Sequence, residues 1–252
     1  FILRRMKSEV LRELPPKTEN VRRIELDTEQ RKLYLAAVVD AREKLRAAKP
    51  EDKMTVFAVL MRLREICCDP RLVADNWTGS SAKLEACLEL VTEAVAGGHR
   101  ILLFSQFTSM LELLAKRLDE AGVSHFTLQG STPKPVRAEQ VRRFNQGEAD
   151  VFLISLRAGG TGLNLTAADI VIHYDPWWNL AAQNQATDRA YRIGQRNPVQ
   201  VYRLIAQDTI EEKIVELQQA KQSLADTVTG GADGAILSMN PEQLLQLLGE
   251  EA

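Results

Sequence analysis

From residue 81 onward, the chain alternates continuous apolar runs with amphipathic stretches. The continuous apolar run "RILLFS" is typical of a strand buried on both faces, and "SHFTLQ", "VFLIS", "DIVIHYD" and "VQVYRLIA" supply four further strand patterns. Helical patterns precede the first strand at residues 81–96 and lie between later strands at 109–120, 135–145 and 179–193. This alternation predicts βαβ crossovers and an α/β fold, with a mostly parallel sheet and helices on both faces.

The segments on either side of this region have a different pattern. After "TENVRRIEL", residues 1–80 show little strand signal, and two helical patterns at 28–48 and 52–67 precede the linker-like "ADNWTGSS". Residues 209–226 form a long amphipathic pattern, followed by the glycine-rich "TGGADGA" and a short helix at 241–248. We therefore predict an N-terminal helical appendage (1–80), an α/β lobe (81–208) and a C-terminal helical segment (209–252).

Composition narrows the class of protein. The 252 residues, of which 45% are hydrophobic and 26% charged, suffice for one large core or one core plus an appendage. No apolar run approaches eighteen residues, so no membrane span is expected. Three cysteines without a CxxC pair indicate reduced thiols in a cytosolic or nuclear compartment, and three scattered histidines argue against a metal site. The start has neither signal-peptide organisation nor an initiator methionine, which is typical of a piece of a longer chain.

Net charge does not settle whether the chain binds nucleic acid. The formal charge is −2, although the first 49 residues contain 13 basic and 8 acidic side chains. A basic segment of this size fits either a nucleic-acid-binding surface or ordinary solvated helices.

Four predicted strands end in groups that can bind phosphate. Ligands of parallel sheets bind at the carboxyl ends of the strands, and phosphate contacts position proteins on nucleic acid. The four strand ends offer hydroxyls, amides, glycines and aromatic rings: Ser105-Gln106, Gly130-Ser131-Thr132, Ser155 with the glycine-rich 156–164, and Trp178-Asn179. A phosphate-binding edge is the prediction.

The stretch "QATDRAYRIGQ" carries a further candidate site. Gln185, Arg189 and Arg192 are four and three residues apart, which predicts one shared face of a helix. A surface ion pair between Asp188 and Arg192 is the alternative. The sequence has no GxSxG, HExxH or GxxxxGK[ST] motif, and "DEAG" at 119–122 ends an amphipathic helix, where a structural role is expected.

Taken together, these motifs resemble a known family. "ILLFSQFTSML", "GSTPKPVRAEQVRRFN", "VFLISLRAGGTGLNLTAADIVIHYDPWWN" and "QATDRAYRIGQ" are similar to the second RecA-like lobe of the SWI/SNF family of helicase-like, ATP-dependent DNA translocases. The resemblance extends to "FILRRMKSEVLRELPPK", "MRLREICCDPRLV" and "TIEEKI", and so to most of the chain. Leu180 and Tyr191 depart from the family's usual proline and histidine.

The resemblance implies a divided ATP site. In this family ATP, with Mg²⁺, lies between two lobes, and the first lobe supplies the phosphate loop and the magnesium-binding carboxylates; residues 1–80 would include the end of that lobe. Arg189 and Arg192 would then be arginine fingers, with Gln185, Gly160 and Gly162 lining the nucleotide site. The implied DNA contacts come from the strand-end loops: Ser105, Gln106, Gly130, Ser131, Thr132, Ser155, Arg157, Gly159, Trp178 and Asn179. For Trp178, simple burial is the alternative. The C-terminal helix would be a brace that crosses back onto the first lobe.

The function that follows is the C-terminal half of an ATP-dependent double-stranded DNA translocase or nucleoprotein remodeller. Its expected partners are duplex DNA, the first lobe, and a nucleoprotein or polymerase target. The chain by itself is expected neither to bind ATP tightly nor to hydrolyse it. A strand-separating DNA or RNA helicase and a non-catalytic docking module remain alternatives. A bacterial cytoplasm is the expected location, with a nucleus left open.

Overall fold

One six-stranded sheet organises the protein in the computed structural model, which describes residues 14–156, 158, 163–225 and 239–249. The strand order is β1-β6-β5-β2-β4-β3, and every neighbouring pair is parallel. The strands are β1 (Lys17–Ile24), β2 (Ile101–Ser105), β3 (His125–Leu128), β4 (Val151–Ser155), β5 (Ile170–His173) and β6 (Val199–Ala206). The predicted α/β class with a parallel sheet is confirmed.

Helices connect these strands and flank the sheet. In the described residues they are α1 (Thr28–Ala47), α2 (Lys53–Cys68), α3 (Ala82–Ala96), α4 (Thr108–Glu120), α5 (Lys134–Asn145), α6 (Leu180–Thr187), α7 (Ile210–Ala225) and α8 (Pro241–Leu247). All but α6 end within about two residues of their predicted bounds, the ordinary uncertainty of helix ends. None of these helices has the length and apolar composition needed to cross a membrane. The predicted break "TGGADGA" lies outside the described residues.

Strands β2, β4 and β5 are buried on both faces, as their continuous apolar sequences predict. In β2, Ile101 and Leu103 pack in the hydrophobic cluster that includes α3 and α4. Leu102 and Phe104 point to the opposite face, where they join the cluster of Phe144 from α5. Successive side chains of a strand alternate between faces, so helices on both sides leave no polar alternation in the sequence.

The terminal segments form a third cluster together. Tyr34 and Leu45 of α1, Leu60 of α2, Ile214 of α7 and Leu244 of α8 belong to one buried apolar group. The predicted N-terminal appendage and the C-terminal helices thus share a core.

Strand β1 belongs to the sheet although it precedes the helical appendage in sequence. It pairs with β6 from Lys17↔Val199 to Ile24↔Ala206. Residues before 81 therefore complete the sheet of the predicted second lobe, while the division of the chain into domains stays a prediction.

A buried ion pair joins α3 to α7. Lys83 and Glu211 are both fully buried, and the Lys83 ammonium donates to Glu211 Oε2. The same carboxylate oxygen accepts the Ala206 N–H at 2.8 Å, and the ammonium lies 5.6 Å from the centroid of the Tyr174 ring. The pair fastens the end of β6 and the start of α7 to the helix that opens the α/β lobe.

The imidazole of His173 is buried at the end of β5. Its Nε2 shares a hydrogen bond with Thr187 Oγ1 at 2.9 Å, and its ring lies 5.6 Å from that of Phe104. Burial, aided by the charges of Arg203 and Lys17, lowers the pKa of His173 to about 3. The folded protein therefore holds this ring neutral throughout the mildly acidic range.

We expect His173 to make the fold acid-sensitive. An unfolded histidine takes up a proton near pH 6.5, whereas the folded one does so only near 3. The unfolded state thus binds more protons between these values, and the free energy of unfolding falls as pH falls. At pH 5 this one group should cost roughly 2 kcal/mol relative to pH 8. Urea unfolding of wild type and His173→Phe at both pH values tests this, because the variant should lose about 2 kcal/mol less. Equal losses would contradict it.

Candidate functional site

The carboxyl ends of the six strands lie on one edge of the sheet, because all the pairings are parallel. The loops after β2 and β5 meet there at a single carboxylate. Asp175 accepts the Ser105 hydroxyl at 2.6 Å and the Gln106 N–H at 3.3 and 3.4 Å. Burial raises the pKa of Asp175, while Arg64 and Ser105 oppose that rise.

Arg64 approaches the same carboxylate from α2. Its Nη2 donates to Asp175 Oδ2 at 3.3 Å and to the Pro176 carbonyl at 2.5 Å. The guanidinium carbon lies 4.1 Å from the ring centroid of Trp178 and 5.6 Å from that of Phe107. Although the side chain is fully buried, its Nε and Nη1 have no hydrogen-bond partner among the described residues. Neither Arg64 nor Asp175 is among the residues predicted from the sequence, where an aspartate directly after an apolar strand is the one available signal.

Two of the predicted DNA-binding residues have buried side chains. The Ser105 hydroxyl is fully buried, bonded to Asp175 and to the Phe107 N–H at 3.1 Å. Ser155 is 3% exposed, and its hydroxyl accepts the Ala158 N–H at 3.2 Å. Both hydroxyls hold the loops that follow them in this conformation, and a DNA contact of either residue stays a prediction.

The other predicted DNA contacts differ in accessibility. Gly130 and Ser131 are exposed, and Gly130 has open space where a Cβ would stand. Thr132 closes this turn by accepting the Gln129 N–H at 3.0 Å. Gln106 is half-buried, and its side-chain Nε2 has no partner among the described residues. The glycine-rich loop gives no information, because Arg157, Gly159, Gly160 and Gly162 lie outside the described residues.

The Trp178-Asn179 pair has structural contacts of its own. Trp178 is half-buried, packs against the cluster of α1, α2, α7 and α8, and stacks on Arg64. The Asn179 side chain caps α6 by accepting the Ala182 N–H at 2.9 Å. Burial thus accounts for part of the Trp178 surface, and a DNA contact of either residue stays a prediction.

Helix α6 ends at Thr187, so the prediction that Gln185, Arg189 and Arg192 share a helix face is wrong. Two hydrogen bonds use carbonyls that a continued helix would need. The Arg189 carbonyl accepts the Leu165 N–H at 3.1 Å, and the Ala190 carbonyl accepts Gln195 Nε2 at 3.1 Å. In a continuing helix, these two carbonyls would accept from residues 193 and 194. Residues 188–195 therefore form successive turns, which we call the arginine turn.

Gln195 holds the arginine turn in place. The side chain is buried, and its Nε2 also donates to the Ala168 carbonyl at 2.7 Å. Its Oε1 accepts the N–H groups of Arg196 and Asn197, both at 2.9 Å. These four hydrogen bonds occupy both donors and both acceptor sites of the Gln195 amide. They connect the arginine turn to the segment before β5.

The two arginines of this turn differ in environment. Arg189 is only 5% exposed, and its Nε has no hydrogen-bond partner among the described residues. Burial, and then the charge of Arg192, lower the pKa of Arg189, while Asp188 acts in the opposite direction. Arg192 and Gln185 are exposed. A buried guanidinium N–H without a hydrogen-bond partner is costly, and an incoming anion that accepts from it removes that cost.

Potential metal ligands are not grouped in this part of the chain. No cluster of three or more His, Cys, Asp or Glu side chains occurs in the described residues. The three cysteines are free and buried, and burial raises the pKa of each thiol. The described edge offers a ligand the Gly130 backbone, the Ser131 hydroxyl and the guanidinium group of Arg192.

Comparison with known families identifies this arrangement. Residues 82–194, which include β2 to β5 and most of the arginine turn, match the family described as "Helicase conserved C-terminal domain". The fold and site thus define the RecA-like C-terminal lobe of a helicase-type protein. Residues 1–72 match "SNF2-related domain", and the chain belongs to the SNF2-related, or SWI/SNF, family. The predicted family is confirmed.

Individual relatives agree with the family assignment. The "putative ATP-dependent helicase/translocase YwqA" of Bacillus subtilis is 40% identical, over 98% of this chain and 28% of that protein. The mouse (Mus musculus) "SWI/SNF-related matrix-associated actin-dependent regulator of chromatin subfamily A member 1" is 37% identical, over 90% of this chain and 23% of that protein. The structure of the "Sulfolobus solfataricus SWI2/SNF2 ATPase core in complex with dsDNA" has a TM-score of 0.78 and 30% identity, over 100% of this chain and 55% of that chain. The chain thus spans about a quarter of the length of these curated relatives.

Proposed function

We propose that this chain is the C-terminal half of the motor of an ATP-dependent double-stranded DNA translocase that remodels nucleoprotein complexes. The observation that carries the proposal is the guanidinium of Arg189, which is buried, lacks a partner for its Nε among the described residues, and lies beside a second arginine. Two neighbouring cations repel each other, and an anion between them relieves that repulsion. The arginine turn is therefore suited to receive a phosphate group.

The chemistry assigned to the two arginines is charge neutralisation during ATP hydrolysis. Charge on the oxygens of the transferred phosphoryl group must be stabilised, and a planar guanidinium binds two such oxygens at once. Arg189 and Arg192 would supply this charge, and the exposed Gln185 would line the same cleft. Mg²⁺ and the phosphate loop would come from a first lobe. Placing the arginines on the second lobe makes turnover depend on closure of the two lobes.

The proposed DNA surface is the edge formed by the loops after β2, β3 and β5. Its accessible groups are the open backbone at Gly130 and the exposed Ser131 hydroxyl. Gln106 is half-buried, and its Nε2 is buried without a partner among the described residues. These groups suit phosphate oxygens better than base edges, so binding should be independent of sequence and weakened by salt. A related ATPase core has been solved with duplex DNA, which supports duplex as the substrate here.

The test uses the full-length protein that contains this chain and compares ATP hydrolysis without DNA, with duplex, and with single strands of equal length. We expect duplex to stimulate hydrolysis most, and the DNA concentration for half-maximal stimulation to rise steeply with salt. Two further assays distinguish translocation from strand separation. Displacement of a third strand from a DNA triplex reports translocation along the duplex, and unwinding of a forked duplex reports strand separation. Triplex displacement without unwinding is the expected result.

Other outcomes identify the alternatives. Unwinding of the fork would favour a strand-separating helicase. ATP hydrolysis that no nucleic acid stimulates would contradict the translocase, and no hydrolysis at all would favour a docking module. The chain without a first lobe serves as the negative control, because half of the proposed ATP site is then missing.

A further inference from the structure

The loops after β2 and β5 are fastened to each other through one buried carboxylate. Asp175 precedes the Trp178 loop in sequence, and it holds the Gln106 loop through the Ser105 hydroxyl and the Gln106 N–H. Both loops belong to the proposed DNA surface. A displacement of Asp175 would therefore move the Gln106 amide and the Trp178 ring together.

Arg64 connects this carboxylate to the helices behind the sheet. It lies on α2, whose buried residues pack with α1, α7 and α8. Its guanidinium contacts Asp175 and the Pro176 carbonyl, and it lies against the Trp178 ring at 4.1 Å. One side chain from the predicted appendage thus touches three consecutive parts of the β5 loop: its carboxylate, its backbone and its indole.

Stability alone does not account for the choice of these residues. A buried ion pair seldom stabilises a fold more than well-packed apolar side chains of the same volume. Here the pair also leaves Nε and Nη1 of Arg64 without hydrogen-bond partners among the described residues, and such unmade bonds are unfavourable. The ring faces of Trp178 and Phe107 compensate part of this loss by cation–π contact. The arginine fixes the orientation of several polar groups at once, which an apolar residue could not do.

We propose that Arg64 and Asp175 are positioning residues that couple the helical cluster to the DNA-binding edge. Arg64 orients the Asp175 carboxylate and the Trp178 ring, and Asp175 in turn orients the Gln106 loop. Neither side chain touches DNA, because both are fully buried. The inference rests on the proposed function, since it assigns these two residues to the DNA surface of the same motor.

The test compares charge-balanced variants in the full-length protein. Arg64→Met keeps much of the buried volume but leaves Asp175 without its cation, so it can destabilise the fold. Asp175→Asn retains an oxygen acceptor for Ser105 and the Gln106 N–H while removing the charge partner of Arg64. The double variant Arg64→Met/Asp175→Asn removes both charges, and its stability should lie closer to wild type than that of Arg64→Met. The double variant of the Lys83–Glu211 pair, Lys83→Met/Glu211→Gln, is the matched control, because it neutralises a second buried ion pair whose hydrogen bonds go to neither DNA loop.

The deciding measurement is ATP hydrolysis as a function of duplex concentration, with thermal unfolding recorded for each variant. We expect the double variant to raise the duplex concentration for half-maximal stimulation by about tenfold, with a smaller effect on the rate at saturating duplex. The control should leave that concentration near its wild-type value even if its unfolding temperature falls by the same amount.

Three outcomes overturn the inference and one bears on the proposed function instead. If the control and the double variant raise the duplex concentration for half-maximal stimulation equally, Arg64 and Asp175 have only a structural role. A folded double variant, or folded Asp175→Asn, with wild-type duplex dependence would also exclude positioning. So would Asp175→Asn and the double variant both failing to fold while the control folds, since the pair would then serve the fold itself. If wild type shows no duplex stimulation, the proposed function fails first.

Discussion

Replacing Arg189 with alanine in the full-length protein is expected to lower kcat for duplex-stimulated ATP hydrolysis by roughly 10³-fold or more. The missing charge is needed mainly when the phosphoryl group is transferred, so the loss should be in the rate at saturating ATP and duplex. Arg189→Lys should not restore the rate, because an ammonium cannot bind two oxygens in the planar geometry of a guanidinium. Steady-state phosphate release gives kcat for wild type, Arg189→Ala and Arg189→Lys.

The same substitution separates a catalytic role from a structural one. The Arg189 Nε has no partner among the described residues, so its removal breaks no hydrogen bond of that atom. We therefore expect the unfolding temperature of Arg189→Ala to stay close to wild type. Arg196→Ala is the matched control, since it removes an exposed guanidinium from the neighbouring segment and should leave the rate near wild type. A slow Arg189→Ala protein that is also unfolded, or a folded one with a normal rate, would contradict the arginine finger.

Lys83→Met is expected to lower the free energy of unfolding by about 3–5 kcal/mol. The substitution leaves the Glu211 carboxylate buried and uncompensated, and Glu211 Oε1 already lacks a partner among the described residues. Adding Glu211→Gln should recover most of the loss, because the amide still accepts the Ala206 N–H without a buried charge. Urea unfolding of the chain gives all the required free energies.

A surface pair provides the comparison for this prediction. Lys44 and Asp40 are 2.7 Å apart with side chains 55% and 49% exposed. Lys44→Met should change stability far less than Lys83→Met, because solvent screens an exposed pair. The prediction is wrong if Lys44→Met and Lys83→Met lower the free energy of unfolding equally. It is also wrong if Lys83→Met/Glu211→Gln is no more stable than Lys83→Met.

Local sequence predicts most of the fold because the relevant signal is local. Strands buried on both faces require uninterrupted apolar residues, so "VFLIS" could be recognised without knowledge of its neighbours. Helix ends marked by glycine were equally visible, as at Gly98 and Gly122, which adopt positive φ angles of 80° and 68°. The family resemblance added the expected site residues at the sheet edge.

Contacts between distant residues decide the features that sequence analysis missed. The pattern of 179–193 does not continue as a helix past Thr187, and Leu165 and Gln195, both outside the pattern, occupy the carbonyls of Arg189 and Ala190 instead. A serine at the end of a strand looks available for binding until Asp175, seventy residues away from Ser105, accepts its hydroxyl. Nothing near Arg64 in sequence indicates that it faces Trp178. Polar positions at the site are therefore harder to assign than apolar positions in the core.

The position of β1 as an edge strand of the described sheet has consequences for synthesis and for truncation of the chain. During synthesis, β1 leaves the ribosome long before β6, its partner in the described sheet, so this pairing closes late. Until then its charged side chains, among them Lys17, Glu19 and Arg22, discourage pairing with other chains. A segment that begins at residue 81 would lack β1. The apolar strand "VQVYRLIA" would then be an unpaired edge strand and could pair with another copy of itself.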